Sequence, residues 1–93
     1  MMRIRFTRRF TRAYNKLPQH IQSLFDDKLY HFMDDWRHPS FRIHELSGTN
    51  GIGSASLNMS IRFTFQFEKD SDGVVVCVFR NIGDHDNTMR PPY

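Results

Sequence analysis

The 93 residues have room for one domain, a single layer of helices on a single sheet, and none for a second. Hydrophobic residues make up 39% of the chain and aromatics 14%, with nine Phe, enough for a packed core and too many for a disordered segment. The net charge is only +3, but Arg3, Arg5, Arg8, Arg9, Arg12 and Lys16 all precede the first acidic residue, Asp26, so a basic flank suited to a phosphate backbone or an acidic protein is expected.

No apolar core of signal-peptide length follows the basic start, and no window approaches the ~20 apolar residues of a membrane span. A cytoplasmic protein without membrane contact is expected. The single Cys77 cannot form an internal disulfide, and its place in a valine run predicts a buried small side chain rather than a nucleophile.

In chain order, Arg3 to Phe6 predicts a short strand, and Thr7 can cap the helix after it by accepting from a first-turn amide. Phe6, Phe10, Ala13, Tyr14 and Leu17 fall on one helical face, which Asn15 to Pro18 closes. Pro18 suits the first turn of a second helix, whose apolar stripe is Ile21, Leu24, Phe25, Leu29, Phe32, Met33 and Trp36. So short a link makes the two helices an antiparallel pair with both stripes on the same sheet.

His38-Pro39-Ser40 breaks the second helix. Phe41 to Leu46 then alternates as a strand, with Phe41, Ile43 and Glu45 opposed to Arg42, His44 and Leu46. A loop follows at Ser47 to Gly51, and Ser54 to Met59 resumes alternation, with Ala55, Leu57 and Met59 opposed to Ser54, Ser56 and Asn58. A turn near Asn58 to Ser60 would pair that strand with the next, where Phe63, Phe65 and Phe67 alternate with Arg62, Thr64 and Gln66. One face of this strand is aromatic and needs a cover; the other is polar and cationic.

Lys69 to Gly73 carries the Asp and Gly residues of a hairpin turn. Val74 to Phe79 is apolar on both sides and predicts a central strand, with Arg80, Gly83 and His85 at its exit. Asn87 to Tyr93, with Pro91-Pro92, reads as an extended arm. The predicted fold is α+β, a single domain over residues 1–93, with an N-terminal helical hairpin packed on one face of a small, mostly antiparallel twisted sheet.

The order of two helices and then a meander of strands ending in Gly-x-His-Asp resembles the RelE/ParE superfamily of bacterial toxins from toxin–antitoxin modules. The similarity spans nearly the whole chain. It is carried by Lys16-Leu17-Pro18 with Ile21, His38-Pro39-Ser40-Phe41-Arg42 leading to Leu46-Ser47-Gly48, Ser56 to Arg62, and Arg80 to Asp86; each is weak alone and their order is specific.

For the RelE-like branch the resemblance implies metal-independent cleavage of mRNA in the ribosomal A site, silenced by a cognate antitoxin. For the ParE-like branch it implies inhibition of DNA gyrase. By position, Arg62 matches the strand arginine at the scissile phosphate, and His44 and His85 match positions where members carry His, Lys or Arg. Gly53 and Met89 depart from the pattern, standing where relatives often carry an aromatic residue, which allows a third reading: an attenuated toxin acting as the antitoxin's partner and in autoregulation.

Cleaving RNA without a metal requires activating the ribose 2′-hydroxyl, stabilising the phosphorane and protonating the leaving 5′-oxygen. Histidine serves as acid or base near its ordinary pKa of about 6.5, and Arg62 would offer two-pronged donors to phosphate oxygens. The candidate catalytic set is therefore His44, Arg62 and His85. Arg42, Arg80 and Asn58 are candidate RNA contacts, Arg80 reading rather more readily as a strand-end charge, and Arg8, Arg9 and Arg12 are candidate antitoxin contacts. His44, Asp84, His85 and Asp86 lack metal-ligand spacing, so no metal or cofactor is expected. The expected partners are an antitoxin, the ribosome and mRNA.

Overall fold

The computed structural model describes residues 2–93. Strand β1 (Arg3–Phe6) leads straight into helix α1 (Arg8–Asn15) because Thr7 stays extended and its hydroxyl accepts from the Phe10 amide at 3.0 Å. Helix α2 (Gln19–Asp34) begins one residue after Pro18, which takes the cap position and not the first turn. The Gln22 side-chain amide donates to the Tyr14 carbonyl at 2.9 Å, and the Tyr14 hydroxyl donates to Asp26 at 2.7 Å. The second bond, helped by partial burial, pushes the phenol up to about 12, so it stays neutral and the hairpin clamp persists into alkaline solution.

The remaining elements are a 3₁₀ turn (Pro39–Phe41), β2 (His44–Glu45), β3 (Ile52–Ser56), β4 (Ile61–Lys69), β5 (Val75–Asp84) and a last helical turn, α3 (His85–Thr88). They form one five-stranded sheet in the order β1-β5-β4-β3-β2, with β1 parallel to β5 and every other pair antiparallel. The expected α+β architecture, with both helices on one face of this sheet, is what forms.

The aromatic side of β4 is the core. Phe32 of α2 meets Phe65 at 5.0 Å and Phe63 at 5.2 Å between centroids, both edge-on, and Phe25 meets Phe63 and Phe79 in the same manner. Phe10 of α1 joins them through Phe25 and Phe79. Edge-on pairs add about 0.5–1.5 kcal/mol each beyond burial, so this cluster fixes where both helices sit. Trp36 lies beyond the end of α2 and packs on Phe67 at 4.9 Å. Cys77 is fully buried, and burial pushes its thiol up to about 12, which leaves it a core side chain.

Four expectations are corrected. Residues 41–46 form only a two-residue strand, because Phe41 is drawn into the core against Phe32 by the 3₁₀ turn and Arg42 takes a left-handed backbone (φ 46°). Strand β3 starts at Ile52 and ends at Ser56; Asn58 Oδ1 accepts from the amides of Ser60 and Ile61 and closes the turn, leaving Met59 fully exposed. Strand β5 runs on through Asp84, so Arg80 lies inside it and not at its exit. The C-terminal arm is not free: Arg9 donates to the Pro92 carbonyl, and Arg80 donates to the Tyr93 carbonyl at 3.2 Å.

Gly53 lies opposite Phe65, and a Cβ there would stand 2.6 Å from the ring's Cζ. The ring already packs edge-on against Phe32 at 5.0 Å, so moving it disturbs the core. Gly53→Ala should therefore destabilise the fold by roughly 1–3 kcal/mol through overpacking, read as a lower urea midpoint with an unchanged slope. An unchanged midpoint would mean that Phe65 has room to move.

Candidate functional site

Strand pairing decides which side chains share the face opposite the helices. His44 stands opposite Ser54, Ser54 opposite Thr64, and Thr64 opposite Asn81; in the adjacent rung Ser56, Arg62 and Gly83 align. His44 and Arg62 are thus brought to one face of the sheet. Ser54 and Thr64 are completely buried and Asn81 nearly so, giving a row of polar side chains across three strands inside the fold.

The cover over part of this row is α3. Asp84 caps it by accepting from the Asn87 amide at 2.8 Å, and the Thr88 hydroxyl donates back to the Asp84 carbonyl at 2.9 Å. The turn folds onto Gly83, where a Cβ would lie 3.7 Å from that of Asn87, and Thr88 is fully buried. The Thr64 hydroxyl beneath finds no hydrogen-bond partner among the described residues.

Arg62 is the most constrained charge on this face. Its Nε donates to Ser54 Oγ at 2.8 Å and its Nη2 to the Arg42 carbonyl at 3.3 Å, so the guanidinium reaches across β3 to the loop before β2. Its pKa is lowered, first by burial and then by the charge of Arg42. Arginine ordinarily titrates so high that the group remains a cation, with further N–H donors uncommitted.

The other sequence-derived residues fall as follows. His44 is exposed at the sheet edge. His85 is the first residue of α3, two residues past Gly83, the cross-strand partner of Arg62; its ring is 70% exposed and its Nδ1 is 4.0 Å from Asp86, too far for a hydrogen bond. Neither histidine hydrogen-bonds Arg62 among the described residues. Arg80 is a bulge residue: Thr64 pairs with Asn81 and Phe65 with Phe79, so Arg80 is skipped and turns to the Arg62 face, donating to Gln66 at 3.2 Å.

Arg42 contributes its carbonyl and keeps an exposed side chain, while Asn58 commits its side-chain carbonyl to the turn. Arg8, Arg9 and Arg12 are exposed on α1; Arg9 and Arg12 line a cleft with Lys16, and Arg8 does not. Met89 caps α3, half-buried. A side chain at Gly53 would face the helices, so its absence takes nothing from the Arg62 face.

Sequence reasoning missed Ser54. Its alternation with Ala55 marked it as polar-facing, but nothing in the sequence marked it as the anchor of an arginine eight residues on. Six uncompensated cations were also too many: Arg3 pairs with Asp70 and Arg5 with Glu68, each at 2.7 Å. No group of three or more His, Cys, Asp or Glu is placed to hold a metal ion among the described residues.

No protein-family model matches the chain, and no curated protein matches it in sequence. Solved structures do. A YoeB/ParE toxin from Agrobacterium tumefaciens superposes with a TM-score of 0.72 at 12% identity over 90% of this chain and 99% of that one. The intact E. coli RelBE toxin–antitoxin complex gives 0.66 at 19% identity over 90% and 96%, and the E. coli DinJ–YafQ complex gives 0.69 at 12% over 94% and 97%. The chain therefore has the fold of RelE/ParE-like toxins over nearly its whole length.

Ser54→Ala removes the acceptor of Arg62 Nε. The expected result is a loss of about 1.5–3 kcal/mol, the range for hydrogen bonds to charged groups. The Arg62 Nε–H should also exchange with solvent as a free arginine does, seen by arginine-selective NMR. Unchanged exchange would show that Ser54 does not hold the guanidinium.

Proposed function

We propose that the chain is the toxin of a type II toxin–antitoxin module and acts as a ribosome-dependent endoribonuclease that cleaves mRNA without a metal. The observation that supports this most is Arg62: a half-buried cation anchored on one side by Ser54 and the Arg42 carbonyl, its free donors available to a phosphate, on the face that carries His44. The likeness in fold to toxins of toxin–antitoxin complexes supports the same reading.

In the proposed reaction one of His44 and His85 takes the proton of the ribose 2′-hydroxyl as its oxygen attacks phosphorus, and the other protonates the departing 5′-oxygen. The products are a 2′,3′-cyclic phosphate and a 5′-hydroxyl. Arg62 stabilises the charge that builds on the phosphorane, an anchored donor needing no reorganisation at the moment of reaction. Each proton transfer contributes typically ~10²–10⁴-fold. Arg42 adds charge to the RNA contact, whereas Arg80 and Asn58 join it only when the tail and the turn release them. A cognate antitoxin with an acidic docking segment is the proposed regulator, meeting Arg8, Arg9 and Arg12 on α1.

Induced expression followed by mapping of mRNA 5′ ends tests the reading. Codon-phased cuts bearing 5′-hydroxyls are expected. Intact mRNA accompanied by a DNA-damage response would instead assign the chain to gyrase inhibition.

A further inference from the structure

A cleft lies away from Arg62, between α1 and the end of the sheet. It has a volume of about 520 Å³ and is lined on one side by Arg9, Arg12 and Lys16 and on the other by Ile61, Ile82 and Gly83. The cations stand at i, i+3 and i+7, on one face of α1, which at 1.5 Å per residue spaces them about 4.5 and 6 Å apart along the axis. Neither Arg12 nor Lys16 has an ion pair or side-chain hydrogen bond among the described residues, and Arg9 uses one donor on the Pro92 carbonyl. The acid in the cleft, Asp84, spends one carboxylate oxygen on the cap of α3.

We propose that this cleft is a second RNA-binding subsite, in which the phosphates beyond the one at Arg62 run along α1. The inference rests on the RNA reading given above. A row of cations suits a chain of charges better than a single compact anion. The apolar floor of Ala13, Leu17, Ile61 and Ile82 gives ribose and base faces something to lie on between phosphates.

The lining favours RNA over an acidic peptide: cations in a row above an apolar floor match phosphates alternating with ribose and base, and the cleft adjoins the strand that carries Arg62 through Gly83, its cross-strand partner. On this account Arg9 and Arg12 serve RNA as well as the antitoxin, which then competes with RNA for them, and Lys16 is added to the RNA contact.

The test is binding of a fluorescent single-stranded RNA of roughly twelve nucleotides, within the usual range of single-strand site sizes, carrying 2′-O-methyl riboses so that it cannot be cleaved. Affinity is measured against salt for the full chain, for Arg12→Ala/Lys16→Ala, for the charge-keeping Arg12→Lys/Lys16→Arg, and for Arg62→Ala. Each single-strand phosphate contact contributes about 0.7 to the slope of log K against log salt, so the double alanine variant should lose about 1.4 and Arg62→Ala about 0.7, while the charge-keeping variant should match wild type. Arg12 and Lys16 are exposed and Arg62 is half-buried, so a cooperative melting transition in each variant confirms folding.

A wild-type slope in the double alanine variant overturns the subsite, and if Arg62→Ala still lowers the slope the functional reading survives that result. Loss confined to the cleft variant keeps RNA in the cleft but overturns both its continuity with Arg62 and the functional reading at that residue. No measurable RNA binding by wild type overturns both. A cleft variant with wild-type RNA binding but weakened, salt-sensitive association with an acidic antitoxin segment makes the cleft a protein site instead.

Discussion

A strand cannot put neighbouring residues on the same face, and β4 carries Phe63 and Phe65 next to Arg62, Thr64 and Gln66. Once the two rings lock among Phe25, Phe32 and Phe79, the register of β4 is set and Arg62 has only the opposite face to occupy. Strand β5 faces a harder problem. Phe79 and Ile82 both belong to the core, yet they are an odd number of residues apart, so regular alternation would expel one of them. The bulge at Arg80 resolves the conflict by sending two consecutive residues, Arg80 and Asn81, to the second face. The placement of Arg62 is thus a consequence of aromatic packing on the other side of the same sheet.

Placing Arg62 there carries a desolvation cost, visible in the direction of its pKa shift. Ser54 and the Arg42 carbonyl offset that cost and also orient the group, since each takes a donor on one side of the guanidinium. The left-handed backbone at Arg42 belongs to this arrangement, because it ends the 3₁₀ turn and puts that carbonyl within reach. Elsewhere the basic flank is divided by the fold. Arg3 and Arg5, the cross-strand partners of Val76 and Val78, are taken up in ion pairs with Asp70 and Glu68. The charge left available gathers on α1.

What the sequence made legible was local and periodic: the cap at Thr7, the stripe of α2, the alternation in β4, and the turn at Asp70 to Gly73, where Asp70 Oδ1 accepts from the amides of Asp72 and Val74. The functional candidates Arg62 and His44 were legible as types and positions, and pairing through Ser54 puts them on one face. What stayed hidden depended on contacts between distant segments. Phe41 leaves its strand because Phe32 is there to receive it. Arg80 looks like a strand end in the sequence because a bulge has no period. The C-terminal arm folds back because Arg9 and Arg80 hold its carbonyls, and nothing in Asn87 to Tyr93 itself requires that.

The central claim is that a packed aromatic layer aims one anchored arginine at a phosphate. Single-turnover cleavage of a ribosome-bound mRNA by wild type and Arg62→Ala, at saturating ribosome, tests it most directly. Loss of phosphorane stabilisation should slow the chemical step by about 10²-fold or more with little change in ribosome binding. A wild-type rate for Arg62→Ala would contradict the account, whatever the fold.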